Sequence, residues 1–230
     1  MGAIYFIRHG QASFGSNDYD QLSPVGHEQG RVLGASLKAR GVVPDLVISG
    51  SMKRHQETAI NCLQTLDCSL PMELHQGVNE FNHENVIEVA EPRYVDKLVM
   101  MSDMAASGDP RRTFQSFFKS AVTRWVEGHH AHDYAESWAD FRARCVAALD
   151  DIVKQSPAKG TTLVFTSGGT ISVICAHLLG LSDAQAFTIN WTLANAGVTK
   201  LLAGRDGLHL ISVNEHAHLE GGDKSLLTYR

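Results

Sequence analysis

Long apolar runs are missing from this sequence: no segment supplies the ~20 consecutive apolar residues that a membrane-spanning helix requires. The first residues enter an apolar strand pattern at once, without a basic stretch and cleavage site, and the position that N-myristoylation reserves for Ser or Thr is Phe6. Neither a membrane partner nor export is therefore expected. Cysteine is scarce, and Cys62, Cys68, Cys145 and Cys175 form no CxxC pair and no zinc-like spacing. That excludes a disulfide scaffold and points to free thiols in a reducing cytoplasm. Surplus positive charge is also absent: 20 Lys and Arg face 25 Asp and Glu, for a net charge of −5. Non-specific nucleic-acid binding is disfavoured, and any cationic site must be concentrated in one place. No internal repeat or low-complexity tract occurs.

What is present begins with Ala3-Ile4-Tyr5-Phe6-Ile7-Arg8-His9-Gly10-Gln11, an apolar, β-prone run that ends in an arginine, a histidine and a glycine. Ligand sites of open α/β sheets lie beyond the carboxyl ends of such strands, so Arg8 and His9 stand where chemistry is expected, although a surface Arg–His pair is the plainer reading. The polar loop Gln11 to Asp20 leads to Ser23-Pro24, an N-cap followed by proline at the first helical position, and a helix running to about Arg40. Leu46 to Ser49 reads as a second buried strand. The helix that follows it carries Arg54 in its first turn, near the same sheet edge as Arg8.

Met72 to His75 suggests a third strand, and the loop beyond it contains Glu80. From about 81 to 136 strand character is lost. Helical stretches near Val86 to Met100 and Thr113 to Val126, separated by the turn at Ser107 to Pro110, read as a helical insertion or lid with no motif that names a substrate. A long amphipathic helix from about Ser137 to Lys154 precedes a fourth strand, Thr161 to Thr166, which enters Ser167-Gly168-Gly169-Thr170 and a helix from Ile171 to Leu179. Two further strands are expected around Gly197 to Ala203 and His209 to Val213. Strands alternating with helices predict a three-layer α/β/α sandwich with a mostly parallel sheet. At 230 residues the chain can bury a sizeable core, and it reads as one domain, 1–230, with that insertion.

Three strand ends thus converge: Arg8-His9-Gly10, Ser49 to Arg54, and Ser167-Gly168-Gly169. Two guanidiniums and a helix N-terminus around an imidazole describe a pocket for a compact dianion, phosphate above all. A neutral imidazole held in line can attack phosphorus, and Glu80 is the candidate acid for the leaving alkoxide.

These residues resemble the histidine phosphatase superfamily, also called phosphoglycerate mutase-like: Arg8-His9-Gly10 after an apolar strand, Leu22-Ser23-Pro24 with Gly26 and His27, Ser49 to Arg54 running into Glu57-Thr58-Ala59, and Asn195 to Thr199. The resemblance spans almost the whole chain. It implies a phosphatase acting through a phosphohistidine on His9, with Arg8 and Arg54 on the phosphoryl oxygens and Glu80 as acid and then base. Asn17 is a further phosphate contact on this pattern, and Ser167 and Gly168 complete the phosphate site. Substrates would be small phosphorylated molecules, with no metal or other cofactor.

Two departures matter. Where the family pattern places a second histidine before glycine, this chain has Ser167, a neutral donor; losing one preorganised donor costs about 10²–10³ in rate, roughly 3–4 kcal/mol. Activity is therefore expected to be reduced, and His83 is a candidate to supply the absent imidazole. The Trp-Glu-Gly run that follows the acidic residue in cofactor-dependent phosphoglycerate mutases is absent after Glu80, which favours a phosphatase over a mutase. The alternatives are a catalytically silent phospho-ligand binding protein and, more remotely, a serine hydrolase built on Ser167 with Asp206 and His209, His216 or His218. The cluster His129-His130-Ala131-His132-Asp133 reads as solvated loop, and the insertion cations Arg93, Lys97, Arg111, Arg112, Lys119 and Arg124 read mostly as solvated helix faces.

Overall fold

The amino-terminal apolar run forms strand β1 (Gly2–Arg8), near the middle of a six-stranded sheet in a computed structural model that describes residues 1–13, 20–221 and 223–229. Helix α1 (Pro24–Ala39) starts as its sequence predicts, with the Ser23 hydroxyl accepting from the Gly26 amide at 3.1 Å and Pro24 at the first position. Strand β2 (Leu46–Ser49), helix α2 (Lys53–Leu66) and strand β3 (Met72–Leu74) follow. The strands run in the order β3-β2-β4-β1-β5-β6, where β4 is Thr161–Thr166, β5 Val198–Gly204 and β6 Gly207–Glu215. The pairings β3–β2, β2–β4 and β4–β1 are parallel, whereas β5 and β6 run antiparallel. The sheet is mixed, with its parallel part at the strands that carry the candidate residues.

Period-two alternation in β1 separates two cores. Ile4 and Phe6 join Ile48 and Val164 and pack on Leu149 and Ile152 from one helix and Ile171 and Ile174 from another. Tyr5 and Ile7 point to the other face with Val47, Leu163 and Phe165, against Leu33 and Leu37 of α1 and Ala59, Cys62 and Leu66 of α2. Helices therefore cover both faces, giving the expected three-layer α/β arrangement.

The chain divides into two compact units, one of residues 1–80 and 144–230 and one of Phe81–Ala143. The second is helical: α3 (His83–Ala90), α4 (Lys97–Ala106) and α5 (Pro110–Glu127). The continuous helix expected from Val86 to Met100 is broken by Pro92, which has no amide to donate and forces Glu91 into an extended conformation, φ −143° and ψ 93°. Ile87, Tyr94 and Met104 form one core of this unit with Phe117 and Phe118, and Phe81, Trp125, Trp138 and Phe141 form an aromatic cluster. Helix α6 (Trp138–Gln155) leads back to β4. Helix α7 (Gly168–Leu179) starts three residues before the expected Ile171, and α8 (Asp183–Asn190), unforeseen in the sequence, opens on a capping box of Ser182 and Gln185. Among the described residues no helix is long and apolar enough to cross a membrane.

Candidate active site

The strand β1 ends in a backbone frame that leaves His9 little freedom. Its amide donates to the Thr166 carbonyl at 2.8 Å, and its carbonyl accepts from the Ala196 amide and from Asn195 Nδ2, each at 3.2 Å. The Gly10 amide donates to Thr58 Oγ1 at 2.9 Å, and that hydroxyl donates to the Arg54 carbonyl at 2.7 Å. Gly10 also lies against the start of α1: a Cβ on Gly10 would run into the Gly26 carbonyl, and one on Gly26 into the Gln11 carbonyl. Only two glycines allow these backbones to approach so closely.

The imidazole is oriented from both nitrogens. His9 Nδ1 lies 2.7 Å from the Gly10 carbonyl oxygen, which can only accept, so Nδ1 carries the proton. Nε2 is then the bare nitrogen, and Arg54 Nε donates to it at 3.3 Å. His9 is 7% exposed and Arg54 4%. Burial, then the charges of Arg54 and Arg8 and the nearby ring of His55, holds the His9 pKa well below the usual histidine range. A neutral ring with its lone pair on Nε2 is the form in which histidine acts as a nucleophile.

Arg54, the second residue of α2, is fixed by Asp20, whose carboxylate accepts from Nη1 at 2.5 Å and, through its other oxygen, from the Lys53 amide at 2.9 Å. Arg8 donates through Nη1 to the Leu193 carbonyl and to the Tyr229 carbonyl, the latter at 3.1 Å. Its Nε flanks Gly168, where a Cβ would lie 3.4 Å from it and would run into Asn190 Oδ1. Arg8, Arg54, His9 and Gly168 are thus brought to one end of the sheet.

Glu80 arrives on a pinned loop. Val78 accepts from Thr166 Oγ1 at 2.5 Å, Asn79 exchanges hydrogen bonds with Ser51 at 2.8 Å, and Arg144 donates to the Asn79 carbonyl at 3.0 Å. Glu80 Oε2 then accepts from the Gly169 amide at 3.1 Å. This corrects one expectation: the Gly169 amide at the start of α7 is engaged by the candidate acid, not left for an anion.

Sequence reasoning missed His55. Its Nε2 meets Ser167 Oγ at 2.5 Å, its ring centroid lies 5.7 Å from that of His9, and both His55 and Ser167 are fully buried. Burial and the Arg54 charge hold its pKa well below the histidine range. The available signal was a second polar residue directly after Arg54 on a helix face that packs against the sheet. The same contact corrects the serine-hydrolase arrangement, because the imidazole at Ser167 is His55, not His209, His216 or His218. His216 Nδ1 instead lies 2.6 Å from the Asn214 carbonyl.

Asn17 lies outside the described residues. His83 opens α3 in the second unit. His132 lies at 3.1 Å from Asp133, which Arg124 also pairs at 2.6 Å, and among the described residues no group of three or more His, Cys, Asp or Glu is placed to hold a metal ion.

Comparison with known proteins adds a family model, described as histidine phosphatase superfamily (branch 1), that matches residues 4–216. Similar solved structures include a mutant phosphoserine phosphatase from Entamoeba histolytica in complex with phosphoserine, at 16% identity and a TM-score of 0.65 over 95% of this chain and 100% of that one. A phosphoglycerate mutase from Bacillus anthracis matches at 21% identity and a TM-score of 0.62, over 94% of each chain. A mycobacterial glucosyl-3-phosphoglycerate phosphatase matches at 20% identity and a TM-score of 0.61, over 93% of this chain and 99% of that one. At these identities the three structures establish a shared phosphoglycerate mutase-like fold.

Proposed function

Because the chain belongs to the histidine phosphatase superfamily (branch 1), whose matched structures include phosphatases and a mutase, we propose that it hydrolyses a small phosphomonoester through a phosphohistidine on His9. The observation that carries this reading is the tautomer: Nδ1 is held on the Gly10 carbonyl, and the lone pair of Nε2 faces the Arg54 guanidinium. In the first step Nε2 attacks phosphorus while the ester P–O bond breaks, and the leaving alkoxide takes a proton from Glu80. In the second, water gives a proton to the Glu80 carboxylate as it attacks phosphorus and the P–N bond breaks, returning neutral His9 and inorganic phosphate. Arg54 and Arg8 bind the phosphoryl oxygens as they gain charge. Ser167 and Gly168 complete the cradle, with Asn17 as a further contact. The residues named carry every step, so no cofactor is invoked.

Ser167 offers a hydroxyl where the family resemblance expects a second histidine, which supports a slower enzyme than one with two cationic donors. Four free thiols support a cytoplasmic setting, and residues 81–136 are the segment to which substrate selection is assigned. The test is turnover of p-nitrophenyl phosphate together with trapping of an acid-labile phosphoenzyme. His9→Ala is expected to abolish the label and lower kcat by at least about 10⁴-fold. Phosphate binding without turnover or label in the native protein would replace the enzyme by a phospho-ligand binding protein. Phosphoryl return to a phosphoglycerate instead of release to water would make it a mutase.

A further inference from the structure

His55, which meets Ser167 at 2.5 Å, has no role in this mechanism. His55 Nδ1 is buried without a hydrogen-bond partner among the described residues. Among the described residues the Ser167 hydroxyl is hydrogen-bonded to His55 and, although Ser167 is the N-cap of α7, makes no capping hydrogen bond. Nδ1 is unpaired in either tautomer, so a relay through Ser167 takes the one with the proton on Nε2, where it is donated to Ser167 Oγ at 2.5 Å. Nδ1 faces Gly50, where a Cβ would run into it; only glycine lets the ring sit there. With Oγ accepting from His55, the serine's own proton is left to be donated elsewhere.

The register says where. Arg8 pairs with Thr166 at the end of the parallel β1–β4 ladder and the His9 amide donates to the Thr166 carbonyl, so His9 and Ser167 are the next residues out on neighbouring strands, which lie about 4.8 Å apart. Resting on the phosphatase reading, we propose that His55 and Ser167 form a hydrogen-bond relay, His55 Nε2–H to Ser167 Oγ–H to a phosphoryl oxygen on His9, which supplies through two neutral groups the donor the family pattern draws from a second histidine. Ser167 is the group that touches the phosphoryl, and His55 is a positioning residue that acts through it. A hydrogen bond accepted by the hydroxyl polarises the one it donates, so the relay strengthens as negative charge grows on the phosphoryl oxygens, and no proton need leave either group. Arg54 and His55, adjacent in α2, thus serve the same anion, one directly and one through a serine from the neighbouring loop.

The experiment is a double-mutant cycle on p-nitrophenyl phosphate turnover with Ser167→Ala, His55→Leu and the pair, together with His55→Gln, whose amide can donate from the position of Nε2. Each single change is expected to lower kcat by about 10–10²-fold with little change in KM. The pair should lose no more than the worse single variant, since both remove one relay. His55→Gln should recover most of what His55→Leu loses. If His55 only fills space, the losses multiply in the double variant, or His55→Leu lowers the folded fraction while kcat per folded molecule is unchanged; either result overturns the relay. If the native protein proves not to hydrolyse phosphomonoesters, the phosphatase reading falls by itself and the same cycle is read on inorganic phosphate affinity by calorimetry. There, equal and non-additive weakening keeps the relay, and unchanged affinity or no phosphate binding ends it. Imidazole ¹⁵N NMR gives an independent reading, with Nδ1 of His55 expected as the bare nitrogen and a protonated Nδ1 counting against the proposal.

Discussion

Arg54 in the sheet unit and Arg93 in the helical unit are both arginines paired with carboxylates, and they do different things. The Arg54 side chain is 5% exposed, fixed by Asp20 and in contact with the lone pair of His9. Arg93 is 61% exposed and bridges Glu91 and Asp103 on its own surface. Lys97 likewise pairs with Glu84 at 2.7 Å, and Arg124 with Asp133 and the Tyr134 hydroxyl, each at 2.6 Å. In the helical unit these cations meet local anions in water, where the attraction is screened and close to neutral in effect. In the sheet unit the guanidinium is held where solvent does not compete, so its charge is available to a ligand and to the pKa of its neighbours. Cations concentrated at one buried place are how a chain of net charge −5 can serve an anionic substrate.

The sharpest way to break that contrast is to keep the charge and remove the fork. Arg54→Lys is expected to lower kcat/KM for p-nitrophenyl phosphate by about 10²–10³-fold, because an ammonium cannot reproduce the contacts to His9, Asp20 and a phosphoryl oxygen together. A loss below about fivefold would mean that charge alone suffices there.

A smaller effect separates the buried imidazoles from the exposed ones. His9 and His55 have pKa values lowered chiefly by burial, with Arg54 the largest charge acting on each. In the unfolded chain both take up a proton as pH falls through about 6.5, whereas the folded state resists. The unfolded state then binds more protons, so stability falls with acidification across this window until the lower folded pKa values are reached, by up to about 1.4 kcal/mol per pH unit for each group. Burial likewise pushes His218 down to about 4, adding a third such group. Urea unfolding of His55→Gln should therefore lose stability less steeply than the native protein between about pH 6.5 and 5, and identical slopes would contradict a neutral, buried His55.

The smallest effect is expected in the helical unit. Lys97→Ala removes an ion pair whose members are 71% and 52% exposed; both the melting temperature and kcat/KM should stay within measurement error. A clear drop in kcat/KM would assign this cation to substrate binding and erase the contrast with Arg54.

Much of the sheet unit was legible because its signals are local. The alternation of β1, the Ser23-Pro24 helix start and the placing of Arg54 in the first turn of α2 depend on neighbours in the chain. The helical unit was harder to read: Pro92 divides one apolar pattern into two helices, and the capping box of α8 lies in a segment without strong periodicity. In the candidate site, Arg8, His9, Arg54 and Glu80 were accessible as residue types at strand ends. The Gly169 amide on Glu80 and the imidazole on Ser167 were not, since each joins positions about a hundred residues apart.

The sequence by itself determined most of the elements of the sheet unit, the apolar runs that bury β1, β2 and β4 on both faces, the family, and the choice of arginine, histidine and carboxylate for an anionic site, because composition and periodicity are properties of short segments. Only the tertiary structure decided which nitrogen of His9 is bare and that the hydroxyl of Ser167 is backed by His55. Those are properties of hydrogen bonds, and a hydrogen bond depends on distances of about 3 Å that exist only once β1, β4 and α2 are packed together.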